Sequence, residues 1–294
     1  MSPLQGPTQG LFYDLRHVSA TVRAAGRVSE RKDDIWSIVN AAASQSPFDP
    51  MVNLGQGFLA VQGCGRYWQP RFSSDFGRQL DAESEILVTT GANEGFLSAI
   101  MAYIEPGDEV VVIEPHFDQF VRNINMAGGI PKFISLKPPS QATSYSTSAA
   151  DWVLDLDELE RIVTNKTRML ILNTPHNPTG KLFSRSEILA IGNFCKAHSM
   201  LLLSDEVYFR LSFFDGQDSN AAETRFTHPR TLFPELTLTI GSAGKDFAAT
   251  GWRVGFVIGS PELLAPVARA HSHICFAAPS AAQEAMATGY ELAD

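Results

Sequence analysis

Between residues 85 and 206 short unbroken apolar runs alternate with stretches in which apolar positions recur every three or four residues. EILVTTG (85–91), VVVIE (110–114), PKFISLK (131–137), RMLILN (168–173) and MLLLSDE (200–206) have the length and content of strands buried on both faces. Between them, ANEGFLSAIMAYI (92–104), FDQFVRNINMAGG (117–129) and SRSEILAIGNFCKAH (184–198) carry helical stripes. Ser184 stands where a helix cap belongs, and Asp155 with Glu158 three residues on has capping-box spacing before LDELERIV. The glycines at 128 and 129 close the second helix. This alternation predicts an α/β chain with a mostly parallel sheet flanked by helices.

The ends of the chain break the rhythm. TLTIGSAG (237–244) and GWRVGFVIG (251–259) are strands separated by six residues, too few for a crossover helix, so they either pair antiparallel or lie at a sheet edge. A helix begins at PELLAPVARAHSHICFA and another at AAQEAMATGYELAD. Residues 31–45 fit one helix and MVNL (51–54) a short strand. GQGFLAVQGCGRYWQPRF (55–72) holds four glycines, has no steady period and is assigned no element.

With 294 residues the chain is long enough for a sizeable core without disulfides, and Cys64, Cys195 and Cys275 form neither a disulfide framework nor a closed zinc site. They fit a reducing compartment. The net charge of −9 excludes a diffuse grip on nucleic acid. No apolar run is long enough to span a bilayer, and no secretory signal is seen. A cytoplasmic location is expected. The arginines at 16, 23, 27 and 31, interrupted by Asp14 and Glu30, leave mitochondrial import as the alternative.

Several motifs fail. Gly55-x-Gly57-x-x-Ala60 matches a relaxed dinucleotide fingerprint, but VQGCGRYWQP is not a helical sequence and offers no helix end to a pyrophosphate. GSAGKD has Thr239 and Asp246 where a phosphate loop needs glycine and Ser or Thr. His271 and His273 fall on opposite faces of a strand or about 200° apart on a helix, and neither arrangement makes a metal pair, so no metal is expected.

Polar signals at strand ends survive. Asp205 follows MLLLS. The ordinary alternatives are a core ion pair or a cap; the functional one is an anion opposite a protonated heteroaromatic ring nitrogen. Lys245 sits among small residues, where it is either a surface lysine or an amine able to form an imine with an aldehyde. Arg253, inside an apolar run, would be satisfied by a bound phosphate, which the start of the helix at Gly91, Ala92 and Asn93 could share. Tyr208 and Asn177 could reach a ring hydroxyl, and Phe117 is either a core aromatic or a ring-stacking one. Aldehyde, ring nitrogen, ring hydroxyl, ring face and phosphate together describe pyridoxal 5′-phosphate.

VNLGQGF (52–58), ILVTTGANEG (86–95), PGDEVVVIEPHFDQF (106–120), LNTPHNPTGK (172–181), SDEVY (204–208) and TIGSAGKDFAATGWRVGFVIG (239–259) resemble class I aminotransferases of the fold-type-I pyridoxal-phosphate superfamily. The likeness is greatest to the kynurenine–oxoglutarate transaminase and cysteine-S-conjugate β-lyase group. The resemblance implies Lys245 as the Schiff-base lysine and Asp205 as partner of the pyridine nitrogen. It implies Tyr208 and Asn177 at the ring hydroxyl, Phe117 on the ring, and Gly91, Ala92, Ser242 and Arg253 around the phosphate. Trp36, Gly57 and Asn177 would line the substrate pocket. The implied reaction moves an amino group from an aromatic or sulfur-containing L-amino acid to a 2-oxo acid, in a homodimer.

On this pattern residues 1–50 are an arm and helix, 51–84 a shortened linker and substrate-loop region, and 85–294 the cofactor-binding large domain. Against the family, a segment after residue 58 and a C-terminal small domain are missing, and with that domain the arginine for the substrate carboxylate. The expectation is a weakened dimer that transaminates poorly, while cofactor binding survives.

Overall fold

The computed structural model describes residues 52–53, 58–59, 64–140, 147–212 and 225–292. Strands β1 (Val52–Asn53) and β2 (Phe58–Leu59) pair antiparallel as a two-stranded ribbon. Helix α1 (Cys64–Asp75) follows, then β3 (Ile86–Thr89), α2 (Ala92–Tyr103), β4 (Glu109–Glu114), α3 (Gln119–Met126) and β5 (Ile130–Ser135). Next come α4 (Leu156–Ile162), β6 (Thr167–Asn173), α5 (Arg185–Ala197) and β7 (Leu201–Asp205). The described chain ends with α6 (Pro229–Leu232), β8 (Thr237–Gly241), the single turn α7 (Ala243–Asp246), β9 (Gly255–Ile258), α8 (Pro261–Ile274) and α9 (Ser280–Leu292). No described helix is long and apolar enough to cross a membrane.

Seven strands form one sheet in the order β3-β9-β8-β7-β6-β4-β5. β5, β4, β6, β7 and β8 are parallel, whereas β9 runs antiparallel to both its neighbours, β8 and β3. The antiparallel alternative therefore holds for 237–259, and β9 is an interior strand rather than an edge.

Alternation along the strands divides the core. Val110 and Val112, Met169 and Ile171, and Leu201 and Leu203 face α2, α3 and α8. Val111 and Ile113, Leu170 and Leu172, and Leu202 face the opposite layer, where α4 and α5 contribute Leu159, Ile188 and Ile191. With both faces covered, unbroken apolar runs are what these strands require. A third cluster joins Trp68 and Phe72 of α1 to Phe256 of β9 and Tyr290 of α9.

Both polar caps named from sequence are formed. Ser184 accepts from the Glu187 N–H and Glu187 reaches back to Ser184, a closed box. Asp155 accepts from the N–H groups of Asp157 and Glu158, but Glu158 pairs with Lys137 instead of closing the predicted box.

Three expectations are corrected. Residues 64–75 are helical although Gly65 and Pro70 erase the propensity signal. What stabilises the helix is burial of Trp68 and Phe72, four residues apart and so on one face, within the aromatic cluster. The strand predicted from 237 stops at Gly241, leaving Lys245 in a helical turn capped by Ser242. The strand predicted from 251 begins at Gly255, because residues 250–252 form a 3₁₀ turn and Arg253 takes a left-handed conformation (φ 54°). Arg253 is thus exposed rather than embedded in an apolar strand.

Candidate active site

The polar ends of the strands converge at one edge of the sheet. The parallel strands deliver their carboxyl-terminal residues there, and β9, being reversed, delivers its amino-terminal ones. Past β4 stands Phe117, past β6 Asn177, past β7 Val207 and Tyr208, and past β8 Ser242 and Lys245; Arg253 precedes β9. Together with Ala92 and Asp205, all these residues line a cavity of about 220 Å³. This is the place where open α/β sheets take ligands.

Asp205 is buried at the end of β7 and forms no ion pair with any described residue. Among the described residues its Oδ1 accepts only a long bond from the Val207 N–H (3.4 Å). Burial pushes its carboxyl up to about 7; the Val207 N–H pulls down, Glu206 pushes up and Lys245 pulls down. A carboxylate this poorly compensated fits a cationic or N–H-bearing partner supplied from the cavity. The Lys245 ammonium lies 5.2 Å from the centre of the Tyr208 ring. The turn carrying Lys245 is anchored from behind, as Asp246 accepts from the Tyr290 hydroxyl (2.5 Å) and from Arg210 Nε (3.3 Å).

The phosphate end is a cradle made by two glycines. Gly91, at φ 79°, precedes α2 and gives it no side-chain cap, so its first turn presents free N–H groups. A Cβ on Gly91 would overlap the Arg253 guanidinium, and one on Gly255 would overlap the backbone of Gly91 and Ala92. The close approach of helix start and guanidinium thus depends on both glycines. The helix start and the Arg253 guanidinium lie close together, and with Ser242 in the same lining they are a donor set suited to a dianion. The donor set fits pyridoxal phosphate at both ends.

Phe117 is 38% exposed and edge-on to Phe120 (5.7 Å), so it borders the cavity and is not the core aromatic. Among the described residues Arg253 is the only arginine in the lining. Trp36 and Gly57 lie outside the described residues.

One residue escaped the sequence. Asn173, buried at the end of β6, donates from Nδ2 to the Asp205 carbonyl (3.0 Å) and accepts the Asn177 N–H on Oδ1 (2.6 Å). It ties the turn bearing Asn177 to the strand bearing Asp205. The available signal was a polar residue ending an apolar strand four positions before Asn177.

A mostly parallel α/β sheet flanked by helices, with a lysine and a buried aspartate at its strand ends, has the fold of type-I pyridoxal-phosphate proteins. The family model for class I and II aminotransferases matches residues 70–293, and the chain belongs to that family. It is 40% identical over 297 aligned residues to a Saccharomyces cerevisiae protein described as a probable kynurenine–oxoglutarate transaminase, BNA3, covering 88% of this chain and 65% of that one. Kynurenine–oxoglutarate transaminase 1 of Homo sapiens is 38% identical over 220 residues, covering 75% of this chain and 51% of that one. Among solved structures, Bna3p from Saccharomyces cerevisiae matches with a TM-score of 0.73 at 37% identity, over 91% of this chain and 69% of that one. N-Succinyldiaminopimelate aminotransferase from Mycobacterium tuberculosis matches with a TM-score of 0.70 at 29% identity, over 95% and 70%. The chain therefore spans between half and about two thirds of the length of these curated relatives.

The raised carboxyl makes a pH prediction. Between about pH 4 and pH 7 the folded, cofactor-free protein keeps the Asp205 proton while the unfolded chain releases it. Stability from this group is therefore present at low pH and falls as pH rises through that window. Asp205→Asn is expected to remove the decline, gaining a few kcal/mol relative to the parent near pH 8, and to weaken cofactor binding. Urea denaturation of both cofactor-free proteins at about pH 5 and about pH 8 checks this; an equal pH slope in the two would refute it.

Proposed function

We propose that this chain carries pyridoxal-phosphate-dependent transamination from an aromatic or sulfur-containing, kynurenine-like L-amino acid to a 2-oxo acid. Support comes above all from Lys245 and the buried Asp205, which has no ion pair among the described residues, lining one cavity with the Arg253 guanidinium and the start of α2. The similarity to proteins described as kynurenine–oxoglutarate transaminases favours the substrate class.

When bound, the cofactor supplies an aldehyde for the amino group and an electron-poor ring that accepts the electron pair left when the substrate α-proton departs. The protein's part follows from its side chains. Lys245 would hold the cofactor's aldehyde through its Nζ and is the amine placed to take up and return a proton as a general base. Asp205 would hold the ring nitrogen's proton, and a carboxylate in so dry a place would do this more strongly than one in water. Asn177, fixed through Asn173, and Tyr208 would take the ring hydroxyl, Phe117 would border the ring, and Arg253, Ser242 and the N–H groups of α2 would hold the phosphate.

The test offers kynurenine, an S-conjugated cysteine and several 2-oxo acids to the chain and follows amino-acid formation from the oxo acid. Slow amino transfer with kynurenine is expected. Release of thiol and pyruvate without transfer would identify a β-lyase instead, and retained cofactor with no turnover would identify a binding form only.

A further inference from the structure

A second cluster of reactive side chains lies behind the phosphate cradle. Helix α8 ends with His271 in its last turn and Cys275 at its C-cap, four residues apart and hence on one face. Glu94, in the first turn of α2, meets them there. His271 Nδ1 lies 2.9 Å from Glu94 Oε2 and 3.4 Å from Cys275 Sγ, and the three donor atoms all fall within 4.8 Å of one another.

From these contacts we infer a site for a zinc-class divalent ion, bound by Cys275 Sγ, His271 Nδ1 and Glu94 Oε2. The orientation of the imidazole is decisive. A thiol–imidazole–carboxylate relay uses both ring nitrogens, one for each partner. Here thiol and carboxylate face the same nitrogen, so no relay runs through the ring. Three atoms able to give a lone pair lie within 4.8 Å of one another, a spacing that one ion can span. Zinc bonds of roughly 2.0 Å to nitrogen and 2.3 Å to sulfur at a tetrahedral angle place the two atoms about 3.5 Å apart, close to the spacing found. The nitrogen–oxygen pair must open by about 0.4 Å from its hydrogen-bonded distance.

The surroundings also suit a metal. The Glu94 carboxylate is fixed by the Ser98 hydroxyl on Oε1 (2.5 Å) and the Thr90 N–H on Oε2 (2.9 Å), and the second lone pair of Oε2 faces His271 Nδ1. Glu94 and His271 are buried, whereas Cys275 is half-buried, leaving a path for entry and a fourth position for water. One thiolate, one carboxylate and a dication sum to zero charge, which suits a site with little solvent. Thiolate plus imidazole selects zinc-like ions over magnesium or calcium. On binding, the Sγ–H bond breaks and its proton passes to water, the imidazole proton moves to Nε2, and the metal takes the three freed lone pairs. Without an ion the same atoms form a hydrogen-bonded strut between α8 and α2. With it, the end of α8 is clasped to Thr90 and the turn that begins the phosphate cradle, since the Thr90 hydroxyl also donates to Cys275 Sγ (3.3 Å).

Cobalt titration of the 294-residue chain in a non-chelating buffer tests the assignment. One equivalent is expected to produce a thiolate-to-cobalt charge-transfer band that zinc abolishes by displacement. Cys275→Ser and His271→Gln should lose the band, and Cys64→Ser should keep it. A measurement on the unmutated protein guards against misfolded variants: zinc should slow maleimide alkylation of Cys275, mapped by mass spectrometry, at least tenfold without protecting Cys64. No thiolate band, a band that persists in Cys275→Ser, or alkylation of Cys275 unchanged by zinc would each overturn the site.

Discussion

Replacing Lys245 by alanine is expected to lower kcat/KM for the proposed amino transfer by at least about 10³-fold, because in that reaction one side chain would both anchor the aldehyde and carry the proton. Lys245→Arg should not rescue it, since a guanidinium keeps the charge but neither attacks an aldehyde nor gives up its proton near neutral pH. The same residue has a readout independent of turnover. Borohydride treatment of the loaded protein should fix the cofactor mass on the peptide containing Lys245 and on no other. Labelling elsewhere, or activity in the alanine variant within tenfold of the parent, would remove Lys245 from its role.

The largest effect on stability is expected at the opposite edge of the sheet. Arg230, on α6, is almost fully buried and donates to Glu85 Oε1 (2.8 Å) just before β3; Arg78 pairs with the same carboxylate from a more exposed position. Burial pushes Glu85 up, but the hydrogen bonds and charges of Arg78, with Arg230, outweigh it and hold the carboxyl below its ordinary range. Burial likewise pulls Arg230 down to about 10, still charged at neutral pH. Glu85→Ala strands that guanidinium and should cost about 3–5 kcal/mol in urea unfolding. The double variant Glu85→Leu/Arg230→Met should recover most of the loss, since replacing a buried pair by apolar groups is often neutral. Cofactor content of the folded fraction should not change. A single-variant loss below about 1 kcal/mol would show that water already reaches the pair.

What was legible in the sequence follows from where the physics is local. The strands β4, β6 and β7 are buried on both faces, so their apolar runs stand out, and Ser184 announces its helix because a cap acts within three residues. Lys245, Asp205, Asn177, Tyr208 and Phe117 were legible as strand-end residues, and the chain does bring them to one cavity. Helix α1 was hidden because its stability is tertiary: Gly65 and Pro70 oppose it, and it is held by distant contacts, among them Phe256 and Tyr290, nearly two hundred residues or more away in the chain. Arg253 was misplaced for a related reason, since the polar turn before β9 is written in apolar letters. The Glu94–His271–Cys275 cluster was invisible because Glu94 and His271 are 177 residues apart, and the neighbouring His273 suggested the wrong pairing.

The reversal of β9 has a consequence for engineering. Because no crossover separates β8 from β9, the hydroxyl of Ser242, the amine of Lys245 and the guanidinium of Arg253 are encoded by one stretch of twelve codons, whereas Asp205 and Asn177 come from other strands. Exchanging residues 242–255 with those of a relative would therefore transplant the anchoring chemistry as a cassette and leave the groups that tune the ring untouched. Affinity for the cofactor and the electronic character of its ring become separately adjustable traits, the first by swapping one short insert and the second by point changes at Asp205 and Asn177.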